Sequence, residues 1–284
     1  MSWPDCGTWV CPLIVSFGCA LHLHDHHIAP LPLRIVLAVR PSASRAGPRV
    51  AAMVVPNPSL HPHIAGALNS IPAWLLSQSG KVFYSGRGAF SGPSNLYVLG
   101  LNPGGDPEAQ AAETINAELQ RFREGPAWWS AYADESWHGA PPGTWGMAPR
   151  ILHMLAALDL DPRAVPASNV IFVRSSTEAT LVAKKEVLLQ SCWPVHEAVI
   201  EALRIRVVLC FGGTAGRWAR ERLGAQQNVD SFQETNRRGW RSETHATGDG
   251  RMVLTLTHPG RADWRNPDAD PTCLVRRALA DCRR

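Results

Sequence analysis

Three short apolar runs stand out along the chain, each bounded by turn residues: Leu96 to Leu101, Ile205 to Phe211 and Met252 to Leu256. Runs of this length, rich in Val, Leu and Ile and closed by Gly or Pro, read as strands buried on both faces. Asn169 to Val173 reads as a further strand, the second in chain order. Between and around them the period changes to that of a helix. Glu108 to Arg123 places Ala109, Ala112, Ile115, Leu119 and Phe122 on one side, and Pro149 to Leu158 opens with proline in its first turn. Ala215 to Leu223 and Leu274 to Cys282 follow the same period, Leu181 to Leu203 is helical on both sides of a break at Pro194, and a helix from His63 to Ser77 precedes them all. A Gly/Ser/Pro loop fills Ser85 to Ser94, and a Trp-rich loop runs from Gly125 to His138 before the turn Pro141-Pro-Gly-Thr-Trp-Gly146. Strands alternating with helices of this length predict an α/β fold: a three-layer αβα sandwich around a four-stranded, mostly parallel sheet.

Residues 1 to 52 show no sustained period, so they are expected to be disordered or an upstream extension, with Met53 a candidate start. Residues 53 to 284 are expected to form one catalytic domain. No run of about 18 apolar residues predicts a membrane span. Pro4 and Pro12 interrupt the first apolar stretch, and no basic segment precedes it, which argues against a secretory signal. Seven irregularly spaced cysteines fit thiols of a reduced compartment. Together these lead us to expect a cytoplasmic protein, acting as a monomer. The net charge of +4 permits nucleic-acid binding without requiring it. Phosphate contacts would come from local clusters, Arg237-Arg238 with Arg241 or Arg261 with Arg265, each of which also reads as a solvated surface.

The candidate chemistry lies at strand ends. The first strand runs into Asn102-Pro-Gly-Gly105 and the last into His258-Pro-Gly260. In an open parallel sheet, ligands bind outside the carboxyl ends of the strands, so these two distant residues are expected to share a pocket. Asn102 has the alternative role of a turn residue, and His258 that of a capping residue. Asp106 reads as an N-cap for the helix near Glu108. The tract His22-Leu-His-Asp-His-His27 lacks a second ligand set on a structured element and reads as a polar tract. Gly212-Gly213-Thr-Ala-Gly216 lacks a P-loop lysine and reads as a tight strand-to-helix turn.

Gly100-Leu-Asn-Pro-Gly104 and His258-Pro-Gly260, in this order, resemble the two signature motifs of the uracil-DNA glycosylase superfamily, the first in its asparagine form. Val165 to Ser175, Cys192-Trp-Pro and Val207 to Gly213 resemble the branch of that superfamily that carries an iron-sulfur cluster. The resemblance spans roughly Leu96 to His258 and the terminal helix. It implies a DNA glycosylase that flips a uracil-like pyrimidine out of DNA and hydrolyses its N-glycosidic bond. Asn102 would orient the attacking water, and His258 would stabilise charge developing on the base. Asn169 would read the pyrimidine edge, and Leu101 and Gly104 would line the base pocket. Trp145 would form the pocket floor, with a core tryptophan as the alternative. Gly260, Arg261 and Trp264 would contact DNA as wedge or phosphate ligands.

The chain departs from the pattern in three places. Only Cys192 falls where the branch has a cluster cysteine, while Arg174 and Ser175 stand at another, so neither cluster nor other cofactor nor metal is expected. Gly260-Arg-Ala-Asp-Trp264 replaces a serine-led loop. Gly104 stands where uracil-restricted members carry a bulky ring, which implies relaxed selectivity at C5. The rival functions are a nucleic-acid-binding protein of the same fold without catalysis, and a hydrolase of free nucleosides.

Overall fold

The computed structural model describes residues 58–281. The expectations for residues 1 to 52, including Cys6, Cys11 and the histidine tract, lie outside them. In chain order the elements are α1 Pro62–Asn69, α2 Ala73–Leu76, β1 Leu96–Gly100, α3 Ile115–Glu124, α4 Ala131–Asp134, α5 Ala148–Ala157, β2 Ala167–Asn169, α6 Glu178–Val182, α7 Lys185–Ala202, β3 Val207–Phe211, α8 Gly213–Leu223, β4 Gln227–Gln233, β5 Arg241–Ala246, β6 Met252–Leu256 and α9 Thr272–Asp281.

One sheet organises these elements, in the order β2-β1-β3-β6-β5-β4. The first four strands in that order are parallel, and β5 and β4 complete the sheet as an antiparallel hairpin against β6. The α/β class holds, but the sheet has six strands and is mixed. The hairpin escaped the sequence pattern because Gln-Asn-Val-Asp-Ser-Phe-Gln and Arg-Ser-Glu-Thr-His-Ala carry little apolar alternation. Pairing to β6, not periodicity, makes them strands.

Side chains alternate cleanly across the parallel strands. Tyr97, Leu99, Val208, Cys210 and Val253 face a core built with α1, α3, α7 and α8. Leu96, Val98, Leu209, Phe211, Leu254 and Leu256 face a second core built with α5 and α9. Helices thus cover both faces, as expected for strands that are apolar throughout.

Several boundaries moved for local reasons. Pro72 disfavours helix at the residue before it and splits the predicted first helix into α1 and α2. The predicted helix from Glu108 starts only at Ile115, where the Thr114 hydroxyl accepts from the Ala117 amide at 3.1 Å. Asp106 accepts from the Glu108 and Ala109 amides, so it caps a turn and no helix follows it directly. The expected break at Pro194 does not occur, and α7 runs through it. Pro194 itself is solvent-exposed, which leaves the carbonyl it cannot pair near water, while Cys192, Trp193, Val195 and Val199 anchor the helix in the core. The second strand ends at Asn169 instead of beginning there, and this correction carries Asn169 to the carboxyl edge of the sheet.

Candidate active site

The parallel strands all point their carboxyl ends to one rim. From β1 the chain crosses to β2 on one side and later to β3 on the other, so the strand order reverses at β1 and β3. That is where an open α/β sheet leaves a crevice. Register places the candidate residues along it. Leu99, Cys210 and Thr255 stand side by side on β1, β3 and β6. Asn102 and His258 lie equally far past this row, from 99 to 102 and from 255 to 258. β3 lies between β1 and β6, so the two residues follow strands that are next neighbours but one, on the same rim of the sheet.

Asn102 is oriented by its own loop. Its Nδ2 donates to the Pro103 carbonyl at 2.7 Å and to the Ser175 carbonyl at 3.1 Å, which commits the amide's donor side to protein and aims Oδ1 away from it. The loop is in turn held by Arg174, a buried side chain on the segment leaving β2. The Arg174 guanidinium donates to the Gly104 carbonyl at 2.5 Å, to Glu113 at 2.7 Å and to the Ser79 hydroxyl at 3.1 Å. The Ser175 amide also donates to the Pro103 carbonyl. Arg174 therefore fills, with hydrogen bonds, the place where the resemblance led to a cysteine. Arg174→Met leaves the Gly104 carbonyl and the Glu113 carboxylate without this donor, and should destabilise the protein by about 2–4 kcal/mol in denaturant unfolding. An unchanged unfolding midpoint would contradict this assignment.

Asn169 sits at the carboxyl end of β2, paired in register with Gly100. It is 4% exposed, and its Nδ2 is buried without a hydrogen-bond partner. A Cβ on Gly100 would lie 2.1 Å from Asn169 Oδ1, so the amide passes over the strand exactly where β1 has no side chain. Burial pushes the nearby Tyr84 phenol up, partly opposed by the Lys81 ammonium.

His258 follows β6 by two residues. Its Nδ1 accepts from the Gly260 amide at 3.0 Å. A backbone amide can only donate, so Nδ1 is unprotonated and the neutral ring carries its proton on Nε2. Burial lowers the pKa of His258, the Arg261 guanidinium lowers it further, and the Glu178 carboxylate opposes both. The ring packs over Gly212, whose φ of +89° turns β3 into α8. Gly216 in α8 lies against Thr255, where a Cβ would meet its hydroxyl at 2.1 Å. The glycines here thus serve a tight turn and close helix packing. Arg150 on α5 braces the histidine loop by donating to the Pro259 carbonyl at 2.7 Å and to the Gly146 carbonyl at 3.3 Å. Neither Arg150 nor Arg174 was picked out for this work from the sequence, because their partners are backbone carbonyls brought near only by folding.

The other sequence candidates divide. Gly104 is exposed with open space around it, and Leu101 packs on the first core while its carbonyl accepts from Ile171. Trp145 is 50% exposed and lies 5.4 Å from the His138 ring, so it is not a core tryptophan; Arg150 joins its neighbour Gly146 to the histidine loop. Gly260 and Arg261 are exposed at the rim. Trp264 requires correction as a DNA contact. It is 0% exposed and packs edge-on against Phe211, because Ala262 and Trp264 turn inward to complete the second core. No three His, Cys, Asp or Glu side chains among the described residues are grouped to hold a metal ion. Cys192 is buried in α7, and burial pushes its thiol up to about 12.

No protein-family model matches the chain, and no curated protein matches it.

Proposed function

We propose that this chain is a monofunctional DNA glycosylase of base-excision repair, hydrolysing the N-glycosidic bond of a flipped uracil or a related deaminated or modified pyrimidine. The observation that carries the reading is the buried, unpartnered Asn169 amide at the same sheet rim as Asn102 and His258. An orphaned buried donor costs about 1–3 kcal/mol, and a base edge would satisfy it.

In the proposed step, water held by Asn102 Oδ1 attacks C1′ while the bond from C1′ to the base nitrogen breaks. Its electron pair leaves with the base. His258 Nε2–H donates to the pyrimidine O2, where negative charge develops. The attacking water gives up a proton to solvent, and the base takes one up, leaving free base and an abasic sugar. Since an amide is a poor base, positioning and leaving-group stabilisation do most of the work. Asn169 presents a donor to O4 and an acceptor to N3–H, a pattern cytosine does not match. The open surroundings of Gly104 favour tolerance of substituents at C5.

The test is base release from single-uracil oligonucleotides, single- and double-stranded, beside free deoxyuridine. Release from DNA alone supports the reading, release from the nucleoside alone points to a nucleoside hydrolase, and binding without release points to an inactive binder. In an active protein, Asn169→Leu should lower kcat/KM roughly 100-fold, the size of two hydrogen bonds of about 1.4 kcal/mol each. Release of uracil but not of 5-substituted uracils would remove the inference about Gly104.

A further inference from the structure

The β4–β5 hairpin, which the proposed chemistry does not use, reaches the same rim. Its tip closes where the Glu234 amide donates to the Trp240 carbonyl, and turns at Gly239, with φ of +58°. Glu234 is buried and takes hydrogen bonds from Asn236 at 2.8 Å and Arg238 at 3.0 Å. The Thr235 amide and hydroxyl both donate to Asp268. Arg238 then does two things at once. It donates to the Arg261 carbonyl at 2.7 Å, three residues past His258, and its guanidinium lies 4.5 Å from the centre of the Trp240 ring. The tip is therefore a built platform fastened to the histidine loop.

What the platform presents is a half-open aromatic face and uncompensated positive charge. Trp240 is 38% exposed. Arg237 and Arg261 are exposed, with no ion-pair partner among the described residues. The neighbouring acids are engaged inward: Glu234 with Asn236 and Arg238, Asp268 with Thr235, and Asp263 with Arg150 and Arg265. An indole ring stacked on a guanidinium, flanked by free arginines, matches the bases and phosphates of a nucleic-acid strand.

We infer that the hairpin tip is a DNA-binding platform, on which Trp240 stacks with a base next to the reacting nucleotide while Arg237 and Arg261 hold the flanking phosphates. The inference rests on the glycosylase reading for its choice of DNA, and it supplies the contact that buried Trp264 cannot make.

The experiment measures fluorescence anisotropy of labelled oligonucleotides carrying a tetrahydrofuran abasic analogue, single- and double-stranded, across a salt series. Trp240→Ala should weaken binding roughly tenfold and Trp240→Phe should restore most of it. Arg237→Ala should lower the slope of log affinity against log salt by about 1. Both positions are on the surface, so unfolding midpoints should match wild type and separate lost contacts from lost folding. Wild-type affinity and slope in both alanine variants would overturn the inference, as would wild-type protein that binds neither probe. If wild type releases uracil while the variants bind normally, the platform falls and the glycosylase reading stands. If no uracil is released but binding depends on Trp240 and Arg237, the platform stands and the reading falls.

Discussion

Replacing His258 by alanine is expected to lower the rate of uracil release by about 100- to 1000-fold while changing affinity for an uncleaved oligonucleotide little. This is the cost measured elsewhere for removing one donor aimed at developing negative charge. The donor here is the Nε2–H of a neutral ring, because the Gly260 amide occupies Nδ1 at 3.0 Å. Burial, seconded by Arg261, keeps the folded pKa of His258 below its ordinary value. The ring therefore remains neutral while an ordinary histidine, with a pKa near 6.5, would already be charged. Activity should hold as pH falls through about 6.5 and decline only below it, when protonation breaks the bond from Gly260. Stability follows the same sign. The unfolded chain takes up this proton first, so the contribution of neutral His258 is fully present above about 6.5 and is lost between there and the lower folded pKa. A kcat profile against pH and nitrogen resonances of the imidazole check both points. An acid limb at or above 6.5, or near wild-type release in His258→Ala, would remove His258 from the mechanism.

Gly100→Ala should abolish most activity without touching any group that does chemistry. The new methyl would stand 2.1 Å from Asn169 Oδ1, well inside contact distance, and the backbones of both residues are fixed by parallel pairing. The amide must rotate away, at a cost of about 1–3 kcal/mol in stability and with loss of its aim at the base edge. The expected fall in kcat/KM equals that of Asn169→Leu, roughly 100-fold by the same two hydrogen bonds. The effects should not add. The double variant Gly100→Ala/Asn169→Leu is expected to be no worse than either single, since both remove one interaction. Steady-state kinetics on the three variants decides the matter. Full additivity would mean that Gly100 and Asn169 act separately, and an active Gly100→Ala would mean that the amide does not read the base.

How much of this was legible beforehand varies by residue. The runs 96–101, 205–211 and 252–256 announced β1, β3 and β6 because strands buried on both faces need unbroken apolar residues. Asn102 and His258 were legible for the same reason, as polar residues set just past such runs. Asn169 was named, but at the start of a strand, because Val170, Ile171 and Phe172 look like strand residues; they are buried by the core as the chain leaves the sheet. Trp264 was named a wedge candidate from its place in the loop after His258, where the resemblance led to an intercalating segment, and only packing against Phe211 shows it to be core.

Local composition by itself determined the α/β class, the parallel strands and the polar residues at their ends, since burial period and turn chemistry are properties of neighbours in the chain. Tertiary structure alone decided the antiparallel hairpin, the bracing by Arg150 and Arg174, and the aim of each amide and imidazole. Those depend on hydrogen bonds between segments far apart in sequence, and such partners acquire their geometry only when the sheet brings them together.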